Sequence, residues 1–281
     1  MPRETSVSEV TQSDTSSIAN FLAQNNYHFR HLDWDAPLSW IGKSPFYKLT
    51  CGSVLDGFLC ASAEPEGSAW IRLFSARQYA NYGRIFRSLF DVTKHFFQGH
   101  SPIQLAGLGL NSWFAGLLRD NDFHHLQNVI SLKIDLESIP ISAKSVAFVR
   151  EMEPADLDII HQIDNLSFEK IWQNSRQQIE IAYLKCQLTT VLEVDDRIAG
   201  YTMSTLNPFQ AHLARIAIHP DFQDKGYGTA LLQDLFQRCL TLRIGQLTLN
   251  TQDTNTRSLK LYRSNGFSPT GETLPVFAYD F

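Results

Sequence analysis

Between Thr229 and Leu240, the apolar residues Leu231, Leu232, Leu235, Phe236, Cys239 and Leu240 fall on one side of a 3.6-residue period, which predicts an amphipathic helix. Shorter runs around it read differently. Leu188–Val194 and Ile198–Ser204 flank Asp195-Asp196 and predict a hairpin. Leu213–Ile218 and Gln246–Asn250 predict single strands, and Val146–Arg150 a short one. Ala155–Asp164, with Leu157, Ile160, His161 and Ile163, has helical spacing. Asn255 can cap a helix that ends at Gly266, a residue suited to a left-handed stop. "PVFAYDF" closes the chain as a strand with Phe277, Tyr279 and Phe281 on one face. Strands and helices thus alternate through the second half, an α/β pattern with a mixed sheet.

The first half echoes the second. Arg119-Asp120-Asn121-Asp122-Phe123 follows a helix-like run 144 positions before Arg263-Ser264-Asn265-Gly266-Phe267 does, and Asn111 precedes Asn255 by the same offset. Gly57-Phe58-Leu59-Cys60 stands 143 positions before Gly200-Tyr201-Thr202-Met203. "SVSEVTQSDTSSIANFLAQ" likewise echoes "FVREMEPADLDIIHQIDN". A nearly constant offset across these regions predicts two related domains, residues 1–140 and 146–281, joined near the polar, Pro- and Ser-containing stretch Asp135–Ser145.

Composition narrows the function. With 281 residues and 43% apolar side chains the chain can bury two cores. A formal charge of -5 argues against a nucleic-acid or anionic-membrane surface as its main partner. No apolar run is long enough to span a bilayer, and the N-terminus lacks a signal-peptide core. Cys51, Cys60, Cys186 and Cys239 form no CxxC pair, so buried thiols in a reducing cytoplasm are expected, without a disulfide framework or zinc. The nine histidines do not group with cysteines at metal spacing, and His124-His125 reads as a strand pair facing opposite sides.

The chemistry concentrates in "IAIHPDFQDKGYGTALL", Ile216–Leu232. Here a strand meets Gly226 and Gly228 and a helix follows. A helix N-terminus offers unpaired N–H groups and partial positive charge, and glycine lets an anion such as phosphate approach the backbone. The Walker pattern is absent, and GxGxxG fails because Leu231 stands where its third glycine belongs. An ordinary strand–helix turn is the plainer alternative.

The strand "IAIHP", the QxxGxG turn, the helix, Asn255, Tyr262 seven residues later and "NGF" together resemble the GNAT superfamily of acetyl-CoA-dependent N-acetyltransferases over about Ala147–Phe281. With the echoing first half, the whole is similar to tandem-GNAT proteins. The resemblance implies that acetyl-CoA is bound by Ile216, Ala217 and Ile218 along its pantetheine arm. Its pyrophosphate would lie on Gln223, Asp224, Lys225, Gly226, Tyr227, Gly228 and Thr229, with Asn255 near the cofactor or simply capping its helix. No metal is implied. The first half keeps Gly83 but has Arg84 about where the second glycine would stand, so one cofactor per chain is expected.

The resemblance also implies Tyr262 as general acid toward the leaving thiolate. The acidic base is missing. The glutamate of the ribosomal-protein-acetylating branch, twelve residues before that tyrosine, is Asn250 here; the glutamate of the histone-acetylating branch, eleven residues before the glutamine, is His212. A neutral imidazole can accept a proton, so His212 is the candidate base, against the plainer alternatives of a strand histidine without a role or an amine that needs no base. His219 beside Pro220 reads as a turn residue. Trp34 and Trp40 either pack or line an acceptor pocket, while Trp70 and Trp113 read as packing. The expected activity is acetyl transfer from acetyl-CoA to a primary amine of a small molecule or peptide, with no nucleic acid and no membrane. The alternatives are another acyl donor and a non-catalytic CoA sensor.

Overall fold

A computed structural model describes residues 4–24, 27–64, 67–77, 82–99, 104–138 and 148–281. Most of the predicted joint at Asp135–Ser145, and the first residues of the strand expected at Val146, lie outside the described residues. The chain forms two compact units, Met1–Leu126 with Pro275–Phe281, and Gln127–Leu274.

The first unit runs β1 (Thr5–Glu9), α1 (Thr15–Gln24), β2 (Tyr27–Arg30), β3 (Phe46–Cys51), β4 (Val54–Cys60), β5 (Ser68–Trp70), β6 (Leu73–Ala76), α2 (Tyr82–Gln98), β7 (Gln104–Leu108), α3 (Ser112–Arg119) and the start of β8 (His124–Asp135). Five strands form an antiparallel sheet in the order β1-β3-β4-β6-β2. β5 lies parallel to β7. On α2, Ile85, Phe86, Leu89, Phe90, Thr93 and Phe97 are buried, one stripe of an otherwise polar helix. Aromatic rings fill the space beneath it: Phe29 stacks on Phe114 with centroids 3.9 Å apart, and Phe86 meets Phe74 edge-on at 5.1 Å. Each such buried side chain contributes about 1.5–3 kcal/mol relative to exposure.

The second unit continues β8 and adds β9 (Phe148–Glu151), α4 (Leu157–Ser167), α5 (Arg176–Lys185), β10 (Leu188–Val194), β11 (Arg197–Leu206), β12 (Gln210–Ile218), α6 (Tyr227–Thr241), β13 (Gln246–Gln252), α7 (Thr256–Ser264) and β14 (Ser268–Asp280). β9, β10, β11 and β12 are antiparallel neighbours, β12 and β13 are parallel, and β8 pairs antiparallel with β13. α6 buries Leu231, Leu232, Leu235, Phe236 and Cys239, the stripe its sequence predicts. Asp195 and Asp196 both take positive φ, the two-residue turn that matches strand twist in a hairpin. α5 has no counterpart in the sequence reading.

The last strand does not stay in the unit where it begins. β14 starts in the second unit, and Val276–Asp280 pair with β7 in the first. Tyr279 packs on Phe90 and Phe123, and Phe281 on Phe97. β8 makes the opposite passage, and its residues Val129–Asp135 pair with β13.

Both halves repeat the same local devices. Each opens with a strand and a turn closed by a capping box, Thr11 with Asp14 and Glu153 with Asp156. In each, a glycine sits beside a register shift in a hairpin: Gly57 opposite Leu49, and Gly200 opposite Leu192. A Cβ at either glycine would stand 2.7 Å from a carbonyl oxygen on the next strand, so no other residue fits. The architecture is a tandem of two GNAT-like α/β folds, with a mixed sheet that contains the parallel pairs β12–β13 and β5–β7 beside the antiparallel five-stranded sheet of the first unit.

Candidate active site

β12 pairs with β13 only from Gln210 opposite Gln246 to Leu213 opposite Leu249. Beyond that point β12 continues beside β11 as far as Ile218, and β13 beside β8 as far as Gln252, so the two strands part and a cleft opens between them. A bulge coincides with the parting. Met203 faces Arg215 and Ser204 faces Leu213, which leaves Ala214 as the extra residue. In the ladder above it, Ala217 is opposite Tyr201 and the His219 N–H donates to the Ala199 carbonyl. That alternation turns the N–H and C=O of Ile216 and Ile218 toward the cleft. The Ile218 carbonyl accepts from Ser167 Oγ at 3.1 Å and Gln223 Nε2 at 2.8 Å.

The chain then makes a short turn over Pro220–Phe222 and enters α6. Gly226 caps the helix at φ +83°, and a Cβ there would meet nothing within 4 Å. The helix's first N–H groups therefore lie beneath bare backbone, which fits a diphosphate. Gly228 is small for a second reason: its Cβ would lie 3.1 Å from Leu261 Cδ2 on α7, so it permits close helix approach. Gln223 Oε1 and the Asp224 carboxylate both accept from Arg257 on α7. Lys225 Nζ donates to the Asp221 carbonyl at 2.9 Å, Tyr227 packs on Phe222, and Thr229 Oγ1 accepts from Asn265 Nδ2 at 3.4 Å. Gln223 and Asp224 thus tie the loop to α7 besides bordering the anion site.

On α7, Asn255 Oδ1 accepts from the Ser258 N–H at 3.1 Å, so the capping role is present. Tyr262 is buried one turn after Ser258. Burial pushes its phenol up to about 12, against the Ser258 hydrogen bond and the charge of Arg215. His212 lies in the paired part of β12, with Nδ1 3.0 Å from Thr248 Oγ1. A Thr248 hydroxyl that donates to the Ala211 carbonyl, 3.3 Å away, makes His212 Nδ1–H the donor and leaves Nε2 its lone pair, whereas one that donates to Nδ1 puts the ring proton on Nε2. Burial lowers the His212 pKa, which keeps the ring neutral at physiological pH. Asn250 Oδ1 accepts from Ser131 Oγ at 2.8 Å. His219 accepts from the Asp221 N–H at 3.2 Å, the turn role its sequence predicts.

A charged cluster at the bulge escaped the sequence reading. Arg215 Nε and a terminal nitrogen donate to the two oxygens of Asp164 on α4 at 2.7 and 2.9 Å. That terminal nitrogen also reaches the Trp172 carbonyl at 2.6 Å, and the Phe168 ring lies 3.6 Å beneath the guanidinium. Asp164 is fully buried and accepts further bonds from Tyr201 Oη at 2.6 Å and the Asn174 N–H at 2.9 Å. An arginine inside "HLARIAI" was the signal: a charge on a strand that is otherwise apolar.

The equivalent edge in the first unit is closed. β2 pairs with β6, Tyr27 opposite Ala76 and Phe29 opposite Phe74, and the His31 N–H donates to the Arg72 carbonyl. β6 and β12 correspond, since Gly57 faces Ala76 as Gly200 faces Ile218. The backbone groups that Ile216 and Ile218 turn toward the cleft are thus matched by groups of Phe74 and Ala76 already taken by β2. Gly83 is the second residue of α2, and the four residues before Tyr82 lie outside the described residues. Trp40 is buried with Lys43 and Arg72 over its ring, so it packs within the first core. No helix among the described residues is long and apolar enough to cross a membrane.

A parted parallel strand pair, a bulge at the parting and a glycine-capped helix beyond it make up the candidate site. Residues 157–267 match the acetyltransferase (GNAT) family, a family that uses acetyl-CoA; the second unit belongs to it, and the chain is an acyltransferase. A ribosomal protein bS18 alanine N-acetyltransferase of Salmonella typhimurium is 35% identical over 86 residues, 31% of this chain and 55% of the relative. The Escherichia coli enzyme of that name is 28% identical over 123 residues, 43% of this chain and 80% of the relative. Among solved structures, a tandem GNAT protein from the clavulanic acid biosynthesis pathway is 12% identical with a TM-score of 0.60, covering 99% of this chain and 98% of its own. A GCN5-related N-acetyltransferase from Sphaerobacter thermophilus matches at 12% and 0.60, covering 98% and 95%.

Proposed function

We propose that the second unit moves the acetyl group of acetyl-CoA to a primary amine, and that the acceptor is the α-amino group of a peptide or protein. The edge of β12 at Ile216–Ile218 and the backbone around Gly226 support a cofactor lying along them. When bound, it supplies a thioester that an amine attacks. His212 Nε2 takes the proton the amine loses, directly or through water. Tyr262 offers its hydroxyl to the sulfur as the C–S bond breaks. Full proton transfer from a phenol near 12 to the thiolate of a more acidic thiol is uphill. Tyr262 therefore acts mainly by hydrogen-bonding the thiolate, and the proton released by the amine completes the thiol through solvent.

The observation that carries the acceptor assignment is the neutral, buried imidazole where a carboxylate base is expected. Such a site cannot readily deprotonate a strongly basic amine. At pH 7 roughly one α-amino group in ten is already neutral, against fewer than about one lysine in a thousand. The names of the bacterial relatives agree with this choice. A peptide that begins with alanine and contains a lysine tests it, beside the same peptide with a blocked N-terminus. Mass spectrometry after incubation with acetyl-CoA should place the acetyl group on the α-amine of the first and leave the second unmodified. Lysine acetylation of the blocked peptide at an equal rate would contradict it.

A further inference from the structure

We propose that Asp164 and Arg215 form a positioning clamp for the acceptor side of the site, holding segment Phe168–Asn174 against β12 at the residue that follows the bulge. This rests on the reading of the second unit as an amine acetyltransferase.

Three observations converge. Arg215 adjoins Ala214, where β12 leaves β13, and precedes Ile216, whose backbone faces the cleft. The guanidinium holds the segment at two points, through the Trp172 carbonyl and the Phe168 ring. Asp164 holds it at a third, through the Asn174 N–H, while gripping both Arg215 and Tyr201. Every polar contact of this carboxylate therefore links α4 to the strands or to the segment. A buried ion pair adds little stability over apolar packing of the same volume. What it supplies here is direction: a planar fork reads two carboxylate oxygens and one carbonyl in a fixed plane, which lysine cannot do. Ser167, next to the segment, reaches the Ile218 carbonyl on the same edge of β12, so the held segment borders the cleft that an acceptor must enter.

Arg215→Lys keeps the charge and loses the fork. Hydrogen exchange of the 168–174 amides should quicken by about tenfold or more, with β10 and β11 unchanged. The acetyl-CoA Kd, from calorimetry, should stay within about threefold, while KM for the alanine-initiated peptide rises about tenfold. Phe168→Leu removes the ring beneath the guanidinium and leaves the Asp164–Arg215 pair itself intact, and should shift exchange and KM the same way by less, which keeps the test open if the lysine variant folds poorly. Unchanged exchange and KM in both variants would overturn the clamp, as would an acetyl-CoA Kd that rises in step with KM. If the wild-type chain leaves the peptide unmodified, the acceptor assignment fails, and exchange together with acetyl-CoA binding still decides the clamp.

Discussion

Phe29 lies directly opposite Phe74 in the β2–β6 ladder, and among the described residues no strand lies opposite Ile216 on the cleft side of β12. The first half therefore spends on its own β2 the backbone groups whose counterparts in the second half no strand takes, the Ile218 carbonyl being held there by Ser167 and Gln223. Acetyl-CoA should bind with a stoichiometry of one per chain. Calorimetric titration returning two equivalent sites would refute this.

Gly226 holds a left-handed conformation that costs an L-residue about 1–2 kcal/mol. Gly226→Ala should lower stability by roughly that amount and weaken acetyl-CoA, since the loop relaxes away from the anion site. Gly228→Ala brings a Cβ 3.1 Å from Leu261, a mild strain, whereas Gly228→Glu adds an anion at the helix N-terminus and should abolish binding. Thermal denaturation and a cofactor titration of all three separate strain from charge.

Arg257 reaches over from α7 to Gln223 and Asp224, and its bridge to Asp224 is largely solvent-exposed. An exposed bridge of this kind contributes little to stability. Arg257→Ala should leave the unfolding midpoint nearly unchanged and raise the acetyl-CoA Kd, because it frees the loop that borders the anion site. A large loss of stability with unaltered affinity would show that the bridge is structural only.

The fold was legible where local chemistry and tertiary packing agree. Leu231 to Leu240 announce α6, Asp195-Asp196 the hairpin turn, and Gly266, at φ +94°, the end of α7. The face assignment along β12 was not. Strict alternation places Leu213 and Ile216 on opposite faces, yet both pack on the α6–α7 core, because Ala214 bulges and resets the phase. The same reset turns Arg215 toward Asp164, a partner 51 residues away that no periodicity reveals. β2 was equally hidden. "YHFR" alternates apolar and polar residues but spans only four positions, too few for periodicity to mark a strand without its tertiary pairing. The passage of β14 into the first unit is likewise a matter of partners: "PVFAYDF" reads as a strand wherever its neighbours lie. At the candidate site, Gly226, Asn255, Tyr262 and His212 are candidates from spacing alone, whereas the link from Gln223 to Arg257 requires the loop before α6 to meet α7.

His212 gives a signed pH prediction. Burial depresses its pKa below 6.5 in the folded chain, so the unfolded state binds more protons as acidity rises. Its contribution to stability is complete above the unfolded value and is lost as pH falls through 6.5 toward the folded value. Activity should follow in the same direction, holding near neutrality and dropping only on the acid side of 6.5. His212→Ala should slow turnover at pH 7 and flatten that acid limb, with partial recovery at high pH where more amine is neutral. A variant with the wild-type rate and profile over amines of different basicity would leave His212 as a strand residue alone.

The most direct measurement is the turnover of Tyr262→Phe beside its acetyl-CoA affinity. Only a hydroxyl is removed from a ring that stays packed against Phe267 in the α6–α7 core. Steady-state thioester cleavage with the alanine-initiated peptide should fall by on the order of 10²-fold or more, with the acetyl-CoA Kd and the unfolding midpoint nearly unchanged. A variant that keeps wild-type kcat, or one that loses activity only through weaker acetyl-CoA binding, would contradict acetyl transfer assisted by Tyr262 in this cleft.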